Sequence, residues 1–183
     1  MPLLLPVKGI HPTIGENCFI APNATIVGDV VLGDQCTVWF NAVIRGDVHR
    51  IRIGNKTNIQ DGAVIHCTYQ KAPTTIGNNV SIGHNALVHG CTVQDNVLIG
   101  MGAIVMDNAV VEEHCIVAAG AVVLENTICE SGHIYAGVPA KKVKALSQDQ
   151  IAGMAKTADN YVMYASWFQD GNEGAASTGT GLK

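Results

Sequence analysis

An aliphatic residue recurs at every sixth position along most of this chain, and that period constrains the fold more than any other feature. The series begins Ile14, Ile20, Ile26, Leu32, Val38, Ile44. After an insertion it resumes at Ile53, Ile59 and Ile65. A second insertion, Cys67 to Thr75, precedes Ile76, Ile82 and Val88. One residue is then dropped, and the phase continues at Val93, Ile99, Val105, Val111, Val117 and Val123. Glycine often follows the aliphatic residue, and a small or β-branched residue usually sits four positions on. A period of six fits neither an amphipathic helix nor a two-faced strand. It fits a parallel β-helix with three short flat faces per turn, the aliphatic residues stacking inward and Gly and Asn taking the corners.

The expected fold is therefore an all-β solenoid, a left-handed parallel β-helix of hexapeptide repeats. Full coils start at Ile14, Leu32, Ile53, Ile76, Val93 and Val111, and a frayed seventh runs through Ile128 to Ile134. Aromatics make up only 5% of a chain that is 48% hydrophobic, so the core must be aliphatic and small. A solenoid has two raw ends that need caps. Residues 1–13 are expected to cover the first, with the β-helix domain spanning 14–140. At the far end Ser147-Gln148-Asp149-Gln150 reads as a capping box. Ile151, Met154, Ala155, Ala158, Val162 and Ala165 then recur at helical spacing, which predicts a C-terminal α-helix over 147–168. Residues 169–183 include a run rich in Gly, Ser and Thr and are expected to form a disordered tail.

A net charge of −4 without a basic block argues against nucleic acid as a partner. No apolar run approaches the ~20 residues of a membrane span. The opening Met1-Pro2-Leu3-Leu4-Leu5-Pro6 lacks the features of a signal peptide, so a cytoplasmic protein is expected. The six cysteines (Cys18, Cys36, Cys67, Cys91, Cys115, Cys129) then read as reduced thiols, mostly packed in the core. No CxxC pair suggests a cysteine-based zinc site.

Three of the seven histidines are placed by the repeat. His66 follows Ile65, and His89 follows Val88. Both aliphatic positions open the third hexad of consecutive coils, which puts the two imidazoles on one prism face, one strand spacing of ~4.8 Å apart. Rings so placed can converge on one metal. His84 lies two residues after Ile82, in a second hexad, and belongs to another face or corner. A neighbouring chain in a three-fold assembly could supply it, giving two ligands from one subunit, one from the next, and an open coordination position. His11, His49, His114 and His133 read as idle surface residues.

The motifs Arg45-Gly46-Asp47, Asn58-Ile59-Gln60-Asp61 through His66, and Gly83-His84-Asn85-Ala86-Leu87-Val88-His89-Gly90 resemble those of the gamma-class carbonic anhydrases, in the branch of bacterial hexapeptide-repeat proteins. The resemblance runs from about residue 8 to residue 168. It includes Ile99-Gly100-Met101-Gly102 and the exit motif Tyr135-Ala136-Gly137-Val138-Pro139-Ala140. It implies a homotrimer with one divalent metal per subunit interface, most often zinc, with iron, cobalt or nickel as options. It implies reversible hydration of CO2 to bicarbonate, with His66 and His89 from one chain and His84 from the next as ligands. By motif position, Gln60 would hydrogen-bond the metal-bound hydroxide, Asn58 would help position CO2 or bicarbonate, and Arg45 and Asp47 would pair across the interface. Tyr161 in the terminal helix matches a tyrosine of this branch that approaches the pocket. Asn58 and Asp61 also suit a plain corner role, and Tyr161 suits plain packing on the prism.

The sequence departs from the family prototype at its proton shuttle. The loop after His66, Cys67 to Thr75, contains no carboxylate, and Val48 stands where a second glutamate is expected. Tyr161 or buffer would have to carry the proton. Two other readings follow the same repeat: a hexapeptide acyltransferase using acyl-CoA, which needs one histidine as general base, and a non-catalytic metal-binding scaffold. Cys67 adjoins His66 and has either a core role or a place at the metal.

Overall fold

A computed structural model describes residues 1–170; the expected tail at 169–183 lies almost wholly outside the described residues. Among the described residues the chain forms a left-handed parallel β-helix of short strands, followed by one α-helix, Gln148–Asp170.

The sixfold period becomes three ladders of stacked side chains. On the first face Ile14, Leu32, Ile53, Ile76, Val93, Val111 and Cys129 are successive register partners. On the second the run is Ile20, Val38, Ile59, Ile82, Ile99, Val117 and Tyr135. On the third it is Leu4, Ile26, Ile44, Ile65, Val88, Val105 and Val123. From Ile26 to Val123 these residues are essentially without solvent contact. The small residues four positions on, such as Ala63, Ala86, Ala103 and Cys115, are buried beside them. The frayed seventh coil is thus Ile128–Cys129 and His133–Ala136, with Cys129 and Tyr135 taking the inward places.

Two longer strands, Thr25–Leu32 and Val43–Ile53, run around the edge between the third and first faces and join those faces into one sheet. The bend passes through Gly28, at φ +73°, where a Cβ would sit 2.4 Å from the Gly46 carbonyl oxygen. At a second edge, Asx side chains tie coil to coil. Asp34, Asn55, Asn78 and Asp95 each accept the backbone N–H of a residue one coil back (Glu16, Asp34, Asn55 and Asn78) at 2.7–2.8 Å. Asn at positive φ turns many corners, as at Asn79, Asn85, Asn96 and Asn108.

The start of the chain adds Leu3–Leu5 as a parallel strand on the third face. The exit differs from a simple run-out. Lys141–Ala145 folds back antiparallel on His133–Ala136 and covers the second-face edge, a hairpin that the hexad period does not encode. The capping box forms as read: Ser147 N–H donates to Gln150 Oε1 (3.0 Å), and Gln150 N–H donates to Ser147 Oγ (3.2 Å). The helix lies along the prism over Thr37–Val38 and Ser81–Ile82, burying Met154, Ala158 and Ala165. Trp39 receives it, with Tyr161 and Phe168 ring centroids each 5.6 Å away. Lys56 pairs with Asp159 at 3.0 Å.

Ile82 is fully buried in the middle of a ladder, whereas Ile128 on the last coil is 59% exposed. Urea unfolding is expected to show Ile82→Ala destabilised by about 2–5 kcal/mol, and Ile128→Ala changed by under about 0.5 kcal/mol.

Candidate metal centre

The strands Val64–His66 and Leu87–His89 are register neighbours, and their last residues pair His66 with His89. The dropped residue before Val93 and the insertion at Cys67–Thr75 both fall beyond these strands, so the aliphatic ladder stays in phase through both rings. Thr74, fully buried, ties the two strand ends together. Its hydroxyl donates to the His66 carbonyl and accepts from Gly90 N–H at 2.9 Å. The Gly90 N–H is shared with the His66 carbonyl at 3.1 Å.

His66 Nδ1 lies 3.1 Å from His89 Nε2, with ring centroids 5.1 Å apart. The outer nitrogen of each ring meets a carboxylate from an adjacent coil. His66 Nε2 is 3.0 Å from Asp47 Oδ1, and His89 Nδ1 is 2.6 Å from Asp107 Oδ1. Ionised carboxylates only accept, so each outer nitrogen carries a proton. The inner nitrogens then either share a third proton, making one ring cationic, or face each other with two lone pairs. Burial pushes the His66 pKa down, more strongly than its hydrogen bond to Asp47 raises it. Where that third proton is absent, two lone pairs converge between the rings, an arrangement able to receive a cation.

The carboxylates suit this role. Burial alone would raise Asp47, but hydrogen bonds from His66 and Arg45 and the Arg45 charge hold it below the usual carboxylate range. Asp107 is likewise lowered against burial, by hydrogen bonds from Thr68 and His89. Arg45 was expected to pair with Asp47 across an interface. Within the chain the two already pair with each other, because residues two apart on Val43–Ile53 project to the same side.

His84 stands elsewhere. It sits at the corner after Ser81–Ile82, half-exposed, with Nδ1 3.0 Å from Asp61 Oδ2. A corner through Asn85, at φ +56°, separates it from the strand Leu87–His89. Among the described residues no group of three or more His, Cys, Asp or Glu side chains in one chain is arranged to hold a metal ion.

The other expected site residues gather on the His84 side. Asn58 is buried on the second face, donating to Ser81 Oγ at 2.8 Å, and it accepts from Gln60 Nε2 at 3.0 Å. Asn58 is thus a buried strand residue that anchors Gln60, and the corner role falls to Asp61. Tyr161 packs edge-on against Trp39. Burial pushes its phenol pKa up, and the nearby Asp61 and Tyr164 add to this. A phenol so placed stays protonated at neutral pH and is not a base. Cys67 turns inward, its thiol 3.2 Å from the His49 carbonyl and raised by burial, so it is not a poised thiolate. The other cysteines are also free, and all but Cys18 are buried. Asp107, Thr68, Thr74 and Ser81 belong to no motif in the sequence; only the coil register brings them to the site.

The family model "Bacterial transferase hexapeptide (six repeats)" matches residues 11–46 and 90–125. Carbonic anhydrase of Geobacillus kaustophilus (strain HTA426) is 44% identical over 167 residues, 91% of each chain. Protein YrdA of Escherichia coli (strain K12) is 42% identical over 178 residues, 93% of this chain and 97% of that protein. A solved structure, a hexapeptide transferase family protein from Anaplasma phagocytophilum, superposes with a TM-score of 0.87 at 40% identity, covering 91% of this chain and 98% of that one.

The Thr74 hydroxyl adds to a bond that persists without it. Thr74→Val is expected to cost about 1 kcal/mol in urea unfolding. The His66 and His89 resonances should shift in the NMR spectrum of the same variant.

Proposed function

The chain belongs to the hexapeptide-repeat, gamma-carbonic-anhydrase-like superfamily, and from that premise we propose that it is a metal-dependent enzyme hydrating CO2 reversibly to bicarbonate in a homotrimer. One observation carries the proposal: two imidazole nitrogens 3.1 Å apart, each ring braced from behind by a carboxylate. Two nitrogens on one tetrahedral zinc at ~2.0–2.1 Å would lie about 3.3 Å apart. Carboxylate-backed histidines of this kind are the usual metal-ligand arrangement. The donor set fits a divalent metal of the zinc, iron, cobalt or nickel group.

Among the described residues no third ligand joins the pair within the chain, and His84 on another edge of the prism is the candidate from a neighbouring subunit. The same edge bears Gln60, fixed by Asn58, and Asp61 beside Tyr161. Assembly around a three-fold axis would bring the two half-sites together. Bound there, the metal would supply hydroxide near neutral pH, as is well established for carbonic anhydrases. The Gln60 amide, held in one orientation, would aim a polar group at the reacting water, while Asn58 fixes Gln60 from behind. The protonated Tyr161 can donate a hydrogen bond toward bicarbonate but cannot take the proton. With no carboxylate in the loop after His66, the proton leaves to external buffer.

The match to transferase hexapeptide repeats favours a second reading, an acyltransferase acting on an acyl-CoA with one histidine as base. Metal analysis and CoA titration separate the two. Purified without chelator, the protein is expected as a trimer with about one metal per chain, lost in His89→Ala and in His84→Ala. CO2 hydration in stopped flow should rise with buffer concentration. Metal-free trimer after reconstitution, with tight CoA binding, would overturn the hydratase reading. Since ligand histidines must be neutral to bind, metal occupancy in equilibrium dialysis should fall as the pH is lowered. Burial lowers the His66 pKa, which keeps that ligand neutral to lower pH.

A further inference from the structure

Asp107 differs from the Asx residues of the coil-to-coil ladder. Asp34, Asn55, Asn78 and Asp95 turn their side chains back on the previous coil and accept a backbone N–H. Asp107 gives both oxygens to side chains. Oδ1 meets His89 Nδ1 at 2.6 Å, and Oδ2 accepts from the Thr68 hydroxyl. Thr68 comes from the inserted loop, where Thr68 and Ala72 form a small antiparallel bridge with N–H···O distances of 3.1 and 3.3 Å. Gly90 keeps the passage open. A Cβ there would stand 2.4 Å from Asp107 Oδ1 and 2.9 Å from Ala72 Cβ, and the residue has φ +56°. Loop, glycine and carboxylate are thus arranged about one nitrogen of one histidine.

We propose that Asp107, clamped by Thr68 of the inserted loop, is a positioning residue that locks His89 as its Nδ1–H tautomer and aims Nε2 at the metal. This rests on the metal reading for its purpose, but not for its geometry. A carboxylate can accept only from a protonated Nδ1, which leaves Nε2 with its lone pair toward His66. The Thr68 hydroxyl takes up the second oxygen and stops the carboxylate from rotating away. The short acid-free loop therefore acts on the ligand geometry and not on proton transfer.

The first test needs no metal. In metal-free full-length protein labelled with 15N-histidine, the His89 ring should report a fixed Nδ1–H tautomer. Asp107→Ala should shift His89 toward the Nε2–H form that His66 Nδ1 can accept, Thr68→Val should give a partial shift, and Thr68→Ser the wild-type pattern. Urea unfolding of each variant shows whether the fold is kept. A fixed Nδ1–H tautomer in folded Asp107→Ala would overturn the proposal whatever the metal content. In metal-loaded protein, Asp107→Ala should lose about 10- to 100-fold in zinc affinity by chelator competition, with a changed visible spectrum for the cobalt form. Unchanged affinity and spectrum would also overturn it. Wild-type protein that binds no metal would sink the metal reading and leave the tautomer test to decide this one.

Discussion

Coil-to-coil register is the constraint on which the rest of this molecule depends. Each inward aliphatic residue packs on its equivalent one strand spacing away, and the backbone bonds of one coil are made to the next. No coil buries its own apolar residues alone, so stability accrues by neighbour contact. The same register sets the chemistry. His66 and His89 face each other because Ile65 and Val88 do, and Asp47 and Asp107 reach them because their coils flank the pair on either side. A slip of one residue in either strand would turn a ring into the core.

The division of the candidate site between two edges of the prism follows from the flatness of the faces. A straight third face holds His66 and His89 near one of its edges and leaves His84 near the other. The residues around His84, among them Gln60, Asn58 and Tyr161, join it through the second face and the terminal helix. The helix contributes by packing on Trp39, which places Tyr161 beside Asp61. Among the described residues neither half has the donors for a complete tetrahedral shell within one chain.

The ladders were legible in the sequence because burial acts on every sixth residue with little interruption. The His66–His89 pair was legible because its placement needs only counting from Ile65 and Val88. The helix could be read from its capping box and spacing. What escaped had no periodic signature. Lys141–Ala145 is exposed along its length, so its pairing leaves no burial pattern. Asp107 looks like any corner Asx residue until its oxygens are traced to His89 and Thr68. Arg45 and Asp47 carried a motif, but their pairing within the chain, and the hold of Asp47 on His66, depend on side-chain direction that spacing alone leaves open.

The Asx ladder has a direction: every side chain in it serves the coil behind, as Asn55 serves Asp34 and Asn78 serves Asn55. Such a ladder is indifferent to how many rungs it has but intolerant of a fractional one. Removing a complete turn would bring an equivalent Asn or Asp under the same backbone N–H, whereas removing part of a turn would leave a donor facing the wrong residue. Length in this architecture is therefore quantised in whole turns, and irregular additions are confined to the corners between rungs. The Cys67–Thr75 loop is such an addition: it leaves the ladder through a corner and returns in phase at Ile76.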